Sequence, residues 1–334
     1  MKIFKYVLGL WLLAIVQVFG FRCVVYGDCR ATTQSEIFNR PVLSFINSQI
    51  VALDPRPEFV IFLGDMVRGC FPKSDPSPYV LADNTLNVWK SFMTQTLNGI
   101  PFYTVVGNND LYGRTGWTEY VLQGQYQSIF SNMPNNGPTN YKKLVYSFEY
   151  GSGDERTLFV ILDGFGFANV GAYQWDNGYD TEQIDWFREQ ARSSTASHKF
   201  VFTHGPAFSP EGWPVGALYP VTTRGTSTYA IRDIAKTYKF DMFYCAHEHL
   251  YSRWNPQPSS SQLLIQTITA GAGAAIDNPS FMKAPVKQAH VFWGYNFVVL
   301  DIEDSNVIHH AYKVVPNSNS GYVAANLDKV LLIK

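Results

Sequence analysis

Charge is scarce in this sequence, and neither sign dominates. The 334 residues include 26 lysine and arginine and 27 aspartate and glutamate residues, which gives a net charge of −1. Because there is no excess of positive charge, electrostatic binding to nucleic acid or to an acidic membrane is not expected. Apolar residues make up 46% of the chain and aromatic residues 16%. The chain therefore has ample apolar surface for a folded core, which excludes intrinsic disorder.

Several motifs that would define other protein classes are missing. No Cys-x-x-Cys pair is present, so neither a zinc ribbon nor a thioredoxin-like redox site is supported. No Gly-x-Ser-x-Gly segment is present, which removes the nucleophile elbow of a serine hydrolase. The four cysteines, which allow three complete pairings, are Cys23, Cys29, Cys70 and Cys245. A Cys29–Cys70 bridge and a set of buried thiols both remain open.

The N-terminal residues have the pattern of an export signal. Lys2 and Lys5 precede an uncharged stretch of 14 residues, 6–19. This stretch is shorter than the roughly 20 residues that span a bilayer as a helix, and no later apolar run reaches that length. We predict a signal peptide over residues 1–20, one domain over 21–334 and a secreted or periplasmic location. An uncleaved anchor and a buried N-terminal strand or helix are the alternatives.

Short apolar runs, each bounded by turn or helix signals, alternate with amphipathic segments along most of the chain. Helical spacing recurs around Trp89 and Ile231, and Asp180 with Gln183 forms a capping box before a third such segment. The apolar runs indicate strands that are covered on both faces, and they occupy 23–26, 59–63, 102–106, 158–162, 200–202 and 242–245.

The C-terminal third changes character. Runs over 263–269, 295–301 and 307–314 indicate antiparallel strands. Together with the alternating strands and helices before them, they predict an α/β protein. The expected architecture is a four-layer α/β/β/α sandwich of two mixed sheets flanked by helices.

Polar side chains that bind metals follow five of the buried runs. These positions are Gly27-Asp28, Gly64-Asp65, Gly107-Asn108-Asn109-Asp110, Thr203-His204 and His247-Glu248-His249. Because the carboxyl ends of strands line the ligand crevice of an open α/β sheet, these residues are expected to converge. Carboxylates, an amide oxygen and imidazoles form a donor set that suits Mn, Fe or Zn.

The order of these motifs resembles the calcineurin-like metallophosphoesterase superfamily, which includes the purple acid phosphatases. The resemblance runs from Asp28 to the strand that follows Thr269. It implies a dinuclear metal centre in which Asp65 bridges two cations. By the same resemblance, Asp28 and His249 hold the first metal, whereas the second metal is held by Asn108, His204 and His247.

The resemblance further implies a phosphohydrolase that cleaves phosphate esters or anhydrides by metal-activated hydroxide attack, and the N-terminal signal pattern predicts that it is exported. Its two divalent or trivalent metal ions would be Mn, Fe or Zn. Its partner would be a phosphorylated small molecule or a polymeric phosphate, with neither a nucleic-acid partner nor a transmembrane span beyond the N-terminal signal.

Three residues depart from the family pattern. Arg30, in Gly27-Asp-Cys-Arg30, replaces the histidine of the first Asp-x-His block, as in a Gly-Asp-x-Arg branch that is similar to the purple acid phosphatases. Arg30 is predicted to clamp phosphate, with a structural ion pair as the alternative. Arg68 takes the place of the tyrosine that colours purple acid phosphatases and is a candidate substrate-binding residue.

Asn109 replaces the histidine of Gly-Asn-His. Asparagine donates a hydrogen bond to phosphate but cannot act as a general acid, which favours good leaving groups such as phosphoanhydrides. We therefore predict that Arg30 and Asn109 are catalytic residues that also bind substrate. These two departures also motivate the alternative function, a phosphoesterase-fold binding or scaffold protein with impaired catalysis.

Overall fold

Two mixed β-sheets dominate the computed structural model. The structure describes residues 20–31, 36–67, 79–110, 119–165, 179–207, 228–254, 264–278, 288–318 and 321–333. The predicted signal peptide, Arg68 and Cys70 therefore lie outside the described residues, apart from Gly20 at the end of the signal. No helix in the described part of the chain is long and apolar enough to cross a membrane.

Six strands form the first sheet, in the order β13-β12-β11-β1-β2-β3. Their bounds are β1 Phe21–Tyr26, β2 Phe59–Phe62, β3 Phe102–Thr104, β11 Tyr295–Glu303, β12 Asn306–Asn317 and β13 Gly321–Ile333. Strands β1, β2 and β3 are parallel, and Val24 pairs with Val60, which pairs with Phe102. Strands β11, β12 and β13 continue the sheet as an antiparallel meander on the other side of β1.

Seven strands form the second sheet, in the order β10-β8-β9-β7-β6-β5-β4. They are β4 Tyr146–Tyr150, β5 Thr157–Ile161, β6 His198–Phe202, β7 Met242–Cys245, β8 Tyr251–Trp254, β9 Ile265–Thr269 and β10 Gln288–Phe292. Strands β5, β6, β7 and β9 are parallel, whereas β4, β8 and β10 run antiparallel to their neighbours. Both sheets are thus mixed, as the sequence predicts.

Helices cover the outer faces of the sheets. They are α1 Arg40–Val51, α2 Tyr79–Thr96, α3 Glu119–Ile129, α4 Thr181–Ser193 and α5 Thr228–Thr237. Helix α4 begins at the predicted capping residue, because the Asp180 carboxylate accepts a hydrogen bond from the Gln183 amide at 2.9 Å. Its predicted apolar face is buried and comprises Ile184, Phe187 and Ala191.

Aromatic rings fill the space between the two sheets. Phe59 of β2 contacts Phe148 of β4 and Phe159 of β5, with ring centroids 5.6 and 5.3 Å apart. On the outer side of the same sheet, Trp89 of α2 packs on Phe62 of β2 at 4.9 Å. The four-layer sandwich is therefore confirmed, and burial of these large rings is its main source of stability.

The three cysteines that the structure describes are buried free thiols: Cys23, Cys29 and Cys245. The Cys29 thiol donates a hydrogen bond to the Met66 carbonyl and accepts one from the Trp89 indole, both at 3.1 Å. Burial raises its pKa well above the usual value. Cys29 is thus a protonated packing residue with two polar contacts.

Candidate metal centre

The candidate metal centre lies where the two sheets meet at the carboxyl ends of their parallel strands. The loops after β1, β2 and β3 come from the first sheet, and the loops after β6 and β7 come from the second. The Asp28 amide donates to the Gly64 carbonyl at 3.0 Å, and the His247 amide donates to Asp28 Oδ2 at 3.1 Å. The second bond joins loops that are 219 residues apart in sequence.

Three of the predicted ligands have a left-handed backbone. The φ angles of Asp28, Asp65 and His247 are 62°, 52° and 73°. Residues with side chains rarely adopt such angles, and strain of this kind concentrates at functional sites. Gly107 lies in the loop after β3 and permits the close approach of the loop after β2. A Cβ at Gly107 would lie only 2.3 Å from the backbone nitrogen of Asp65.

Asp110 fixes the loop that carries Asp65. Its carboxylate accepts hydrogen bonds from the backbone amides of Asp65, Met66 and Gly107 at 2.8 to 2.9 Å. Burial, followed by the neighbouring Asp65, raises the pKa of Asp110 well above its usual value. Although the sequence places Asp110 at the end of a motif, its positioning role becomes visible only in the structure.

We call Asn108, His204 and His247 the second pocket. His204 Nε2 and His247 Nδ1 each lie 3.0 Å from Asn108 Oδ1. The Leu63 carbonyl accepts a hydrogen bond from His204 Nδ1 at 2.7 Å, which leaves His204 Nε2 facing the amide oxygen of Asn108. Two imidazole nitrogens and an amide oxygen that converge at this distance form the mixed nitrogen and oxygen set that Mn, Fe or Zn binds. These donors therefore fit a metal ion.

We call Asp28 and His249 the first pocket, which Asp65 borders. Donor atoms of these three residues lie within 4.8 Å of one another. The Ala275 carbonyl accepts a hydrogen bond from His249 Nδ1 at 2.6 Å, which leaves Nε2 facing Asp28 Oδ1 at 3.4 Å. Asp28 Oδ1 is buried without a hydrogen-bond partner among the described residues. An unpartnered carboxylate oxygen at this point also fits a cation.

Asp65 lies between the two pockets, as its predicted bridging role requires. Its Oδ1 lies 3.4 Å from His204 Nε2 and accepts a hydrogen bond from the Asn109 amide at 2.8 Å. Its Oδ2 lies 3.2 Å from Arg30 Nε. Burial raises the pKa of Asp65, but the charges of His204 and Arg30 outweigh this effect and lower it. The carboxylate is therefore ionised at neutral pH.

The pKa values of the two histidines of the His-x-His segment are shifted in opposite directions in the metal-free protein. Burial and the neighbouring His204 lower the pKa of His247 to about 3. Burial also lowers the pKa of His249, but the neighbouring carboxylates of Asp277 and Asp28 outweigh it and raise the pKa to about 10. The second pocket thus has a neutral imidazole at pH 7, whereas the first pocket must release a proton before His249 can bind a metal.

Sequence comparison decides the family. A family model described as calcineurin-like phosphoesterase matches residues 24–251, which include all six predicted ligands. The chain belongs to this family. The family is one of phosphoesterases, and the metal-binding side chains gathered at the strand ends agree with that class.

Solved structures of this calcineurin-like phosphoesterase fold resemble the whole chain at low identity. PhoD aligns with a TM-score of 0.65 and 10% identity, over 95% of this chain and 70% of PhoD. A purple acid phosphatase from yellow lupin (Lupinus luteus) seeds aligns with a TM-score of 0.61 and 16% identity, over 94% of this chain. The chain spans only 53% of that phosphatase.

GAP50 of Plasmodium, described as the anchor in the inner membrane complex, aligns with a TM-score of 0.54 and 16% identity. The alignment covers 95% of this chain and 90% of GAP50. No curated protein sequence matches the chain. At these identities the structural likeness shows the fold alone.

Three residues depart from the family pattern, and the structure describes the contacts of two of them. Arg30 forms an ion pair with Asp65, which was the alternative to a phosphate clamp, and its Nη2 lies 3.5 Å from His249 Nε2. Asn109 donates hydrogen bonds to Asp65 from its backbone and its side chain. The phosphate-binding roles of Arg30 and Asn109 stay predictions, and Arg68 lies outside the described residues.

Sequence reasoning missed two residues beside the site. Asp277 accepts a hydrogen bond from the His249 amide at 2.6 Å, and its Oδ1 lies 3.5 Å from His249 Nδ1. It lies in a stretch that reads only as a Gly-rich loop. Phe165 covers the second pocket, with its ring centroid 5.5 Å from His204 and 5.3 Å from His247. An isolated phenylalanine in a loop gives no signal of such a position.

Proposed function

We propose that the protein is an exported phosphohydrolase that cleaves phosphate esters or anhydrides with two metal ions. The observation that carries the proposal is the convergence of His204 Nε2 and His247 Nδ1 on Asn108 Oδ1, each at 3.0 Å, beside an ionised Asp65. Asp65 offers two anionic oxygens to both pockets, which suits a pair of cations roughly 3.5 to 4 Å apart. Mn, Fe and Zn match the donor set.

Bound metal ions at such a site lower the pKa of water and neutralise charge on the phosphoryl oxygens. The protein's own residues orient the donors and the substrate. Hydrogen bonds from His204 to Leu63 and from His249 to Ala275 fix the rings. Arg30, which is partly exposed, and Asn109 supply N–H donors for the equatorial oxygens of a phosphoryl group.

Asn109 sets the preferred leaving group. Its amide donates a hydrogen bond to Asp65 and has no proton to transfer at neutral pH. A leaving group of low pKa departs without protonation, so phosphoanhydrides and aryl esters are favoured over alkyl esters. A series of aryl phosphates should show kcat/KM rising steeply as the leaving-group pKa falls.

A phosphate-release screen tests the activity. Monoesters, diesters, nucleotides and polyphosphate are each supplied with Mn, Zn, Fe or Mg, and metal-dependent turnover is expected on at least one activated substrate. Asp65→Asn should lower that turnover by at least about 10²-fold. Asp185→Asn, on the exposed face of α4, is the matched control and should keep full activity.

Two outcomes of the screen would contradict the proposal. Full activity of Asp65→Asn would remove Asp65 from the centre. Absence of bound metal after growth in metal-replete medium, together with absence of turnover, would favour the binding or scaffold protein. Export is tested separately by fractionation and by N-terminal sequencing of the mature protein, and an intact Met1 in the cytoplasm would contradict it.

A further inference from the structure

Arg30 lies inside the first pocket and not merely beside it. Its Nε is 3.2 Å from Asp65 Oδ2, and its Nη2 is 3.5 Å from His249 Nε2. These two atoms belong to Asp65 and His249, which with Asp28 form the group whose ligand atoms lie within 4.8 Å of one another. The guanidinium of Arg30 therefore contacts the same side chains that a first metal ion would need.

The guanidinium and a metal ion cannot use these donors at the same time. A metal ion binds histidine nitrogen and carboxylate oxygen at about 2.0 to 2.2 Å. An ion at that distance from Asp65 Oδ2 and His249 Nε2 would lie against a guanidinium whose nitrogens are 3.2 and 3.5 Å from the same atoms. The two positive charges would also repel each other at short range.

The second pocket is built differently. His204 Nε2 and His247 Nδ1 face an uncharged amide oxygen, Asn108 Oδ1. The His204 ring is held by its hydrogen bond to the Leu63 carbonyl, both rings contact Phe165, and Arg30 makes no hydrogen bond to either ring among the contacts of the described residues. A cation entering the second pocket therefore has no arginine to displace from these donors.

We propose that Arg30 is a built-in competitor for the first metal ion, so that the centre loads in two unequal steps. The second pocket binds its ion tightly, whereas the first pocket binds an ion only when the guanidinium leaves. This inference rests on the proposed metal site and adds to it a function for the arginine that replaces a family ligand.

A phosphate group gives the displaced guanidinium a new partner. The planar fork of arginine matches two phosphate oxygens, and 28% of the Arg30 side chain is already exposed to solvent. Substrate phosphate therefore draws Arg30 away from Asp65 and opens the first pocket. Because binding couplings are reciprocal, phosphate raises the affinity for the first ion, and that ion raises the affinity for phosphate.

Titration of the metal-free full-length protein with Mn²⁺ tests the competition. Free Mn²⁺ is read by electron paramagnetic resonance and heat by calorimetry, without any substrate turnover. We expect one tight ion and a second ion that binds at least tenfold more weakly. Arg30→Ala should tighten only the weaker site by at least tenfold, and Asp28→Asn should abolish that site, which assigns it to the first pocket.

Matched variants keep the result interpretable. Arg156→Ala removes an exposed arginine that pairs with Glu149 and should leave both affinities unchanged. Arg30→Met retains more of the apolar stem than Arg30→Ala does, and it should give the same tightening if the alanine variant is unstable. Submillimolar inorganic phosphate should tighten the weaker site of the natural protein at least fivefold and should have no such effect in Arg30→Ala.

The outcomes separate this inference from the proposed function. Two equally tight Mn²⁺ ions in the natural protein, or unchanged affinities in Arg30→Ala and Arg30→Met, would overturn the competition while leaving a dinuclear hydrolase intact. Failure of both pockets to bind Mn²⁺, Zn²⁺ or Fe²⁺ would overturn the proposed function and this inference together.

Discussion

Two regions of this protein bury aspartate, arginine and histidine side chains together, and they differ in the hydrogen bonds that these side chains make. One is the candidate metal centre. The other, the inter-sheet cluster, lies between the two sheets and comprises Tyr244, Tyr251, Arg253, His309 and Asp328. The same residue types therefore occur in both, and the difference between them lies in how the polar atoms are partnered.

Hydrogen bonds run unbroken through the inter-sheet cluster. Arg253 donates to both oxygens of Asp328, and Tyr251 donates to Asp328 at 2.8 Å. The Tyr251 and Tyr244 hydroxyls lie 3.0 and 2.9 Å from the two ring nitrogens of His309. Such a satisfied network fixes the sheets against each other and has no donor set left for a ligand.

The metal centre has the reverse arrangement. Asp28 Oδ1 is buried without a hydrogen-bond partner among the described residues, and two imidazole nitrogens face one amide oxygen. Three ligand candidates also have strained backbones. Unsatisfied buried polar atoms cost stability, and here one of them lies beside imidazoles and carboxylates that together form a donor set for a ligand. Variants in the two regions should therefore separate stability from activity.

The largest effect is expected on stability, from Asp328→Asn. The variant leaves the buried Arg253 without its carboxylate, which costs about 3 kcal/mol in the free energy of unfolding. Urea denaturation measures this loss. Metal content and activity per folded molecule should be unchanged, and a loss of bound metal at temperatures where the protein stays folded would break the comparison.

A double variant serves as the control for Asp328→Asn. Arg253→Met combined with Asp328→Leu removes both charges and should recover part of the lost stability, because no unpaired charge remains buried. A double variant as unstable as Asp328→Asn would mean that the remaining hydrogen bonds of the cluster, and not the ion pair, hold the sheets together.

Asp28→Asn should show the opposite behaviour. The amide keeps an oxygen for the His247 amide but removes one negative charge from the first pocket, so kcat/KM should fall by about 10²- to 10³-fold. The melting temperature should stay the same or rise, because burial already disfavours the Asp28 carboxylate and raises its pKa. A clear loss of stability without loss of activity would make Asp28 a structural residue.

The contrast between the regions also explains what the sequence could predict. The metal centre was predictable because each of its ligands follows a short apolar strand, so that local pattern and chain order carry the signal. The inter-sheet cluster was not, since His309 and His310 are adjacent in a predicted strand, where they point to opposite faces and indicate no joint site. Strand β13 was missed for a related reason: polar residues such as Asn326 and Asp328 interrupt its apolar pattern at the edge of the sheet.

The departures within the site set a further limit on sequence reasoning. The sequence shows that Arg30 and Asn109 replace family histidines, but only coordinates show that both contact Asp65. Asp277 gives no signal in the sequence, because it follows a Gly-rich stretch that resembles no ligand motif. Contacts between distant loops depend on tertiary packing, which local patterns do not encode.

Asn109→His tests whether a titratable side chain at position 109 raises the activity of the candidate metal centre. An additional titratable group in the inter-sheet cluster would instead lower stability. A histidine there can protonate the leaving oxygen, so turnover of an alkyl phosphate should rise by up to about 10²-fold, the lower range for a positioned general acid. Turnover of an activated aryl phosphate should change little, which is the internal control. An equal change with both substrates would show that Asn109 acts through Asp65 alone.

Over the pH range that denaturation can sample, the smallest effect is a pH dependence of stability that arises from His309. Burial lowers the pKa of His309 to about 3, well below the value of about 6.5 in an unfolded chain. Between these pH values His309 is protonated in the unfolded chain but not in the folded protein. The free energy of unfolding therefore falls as the pH decreases from about 6.5 to 3. The slope from this one group approaches about 1.4 kcal/mol per pH unit.

Urea denaturation from pH 4.5 to 6.5 measures this slope, with metal removed by a chelator so that metal dissociation does not contribute. The free energy of unfolding of His309→Gln should be lower at pH 7. It should fall less steeply on acidification, because unfolding of this variant takes up one proton fewer. The carboxylates and the depressed pKa of His247 act in both proteins and cancel in the difference. Equal slopes would mean that His309 accepts a proton inside the cluster, and the inter-sheet region would then be no more satisfied than the metal centre.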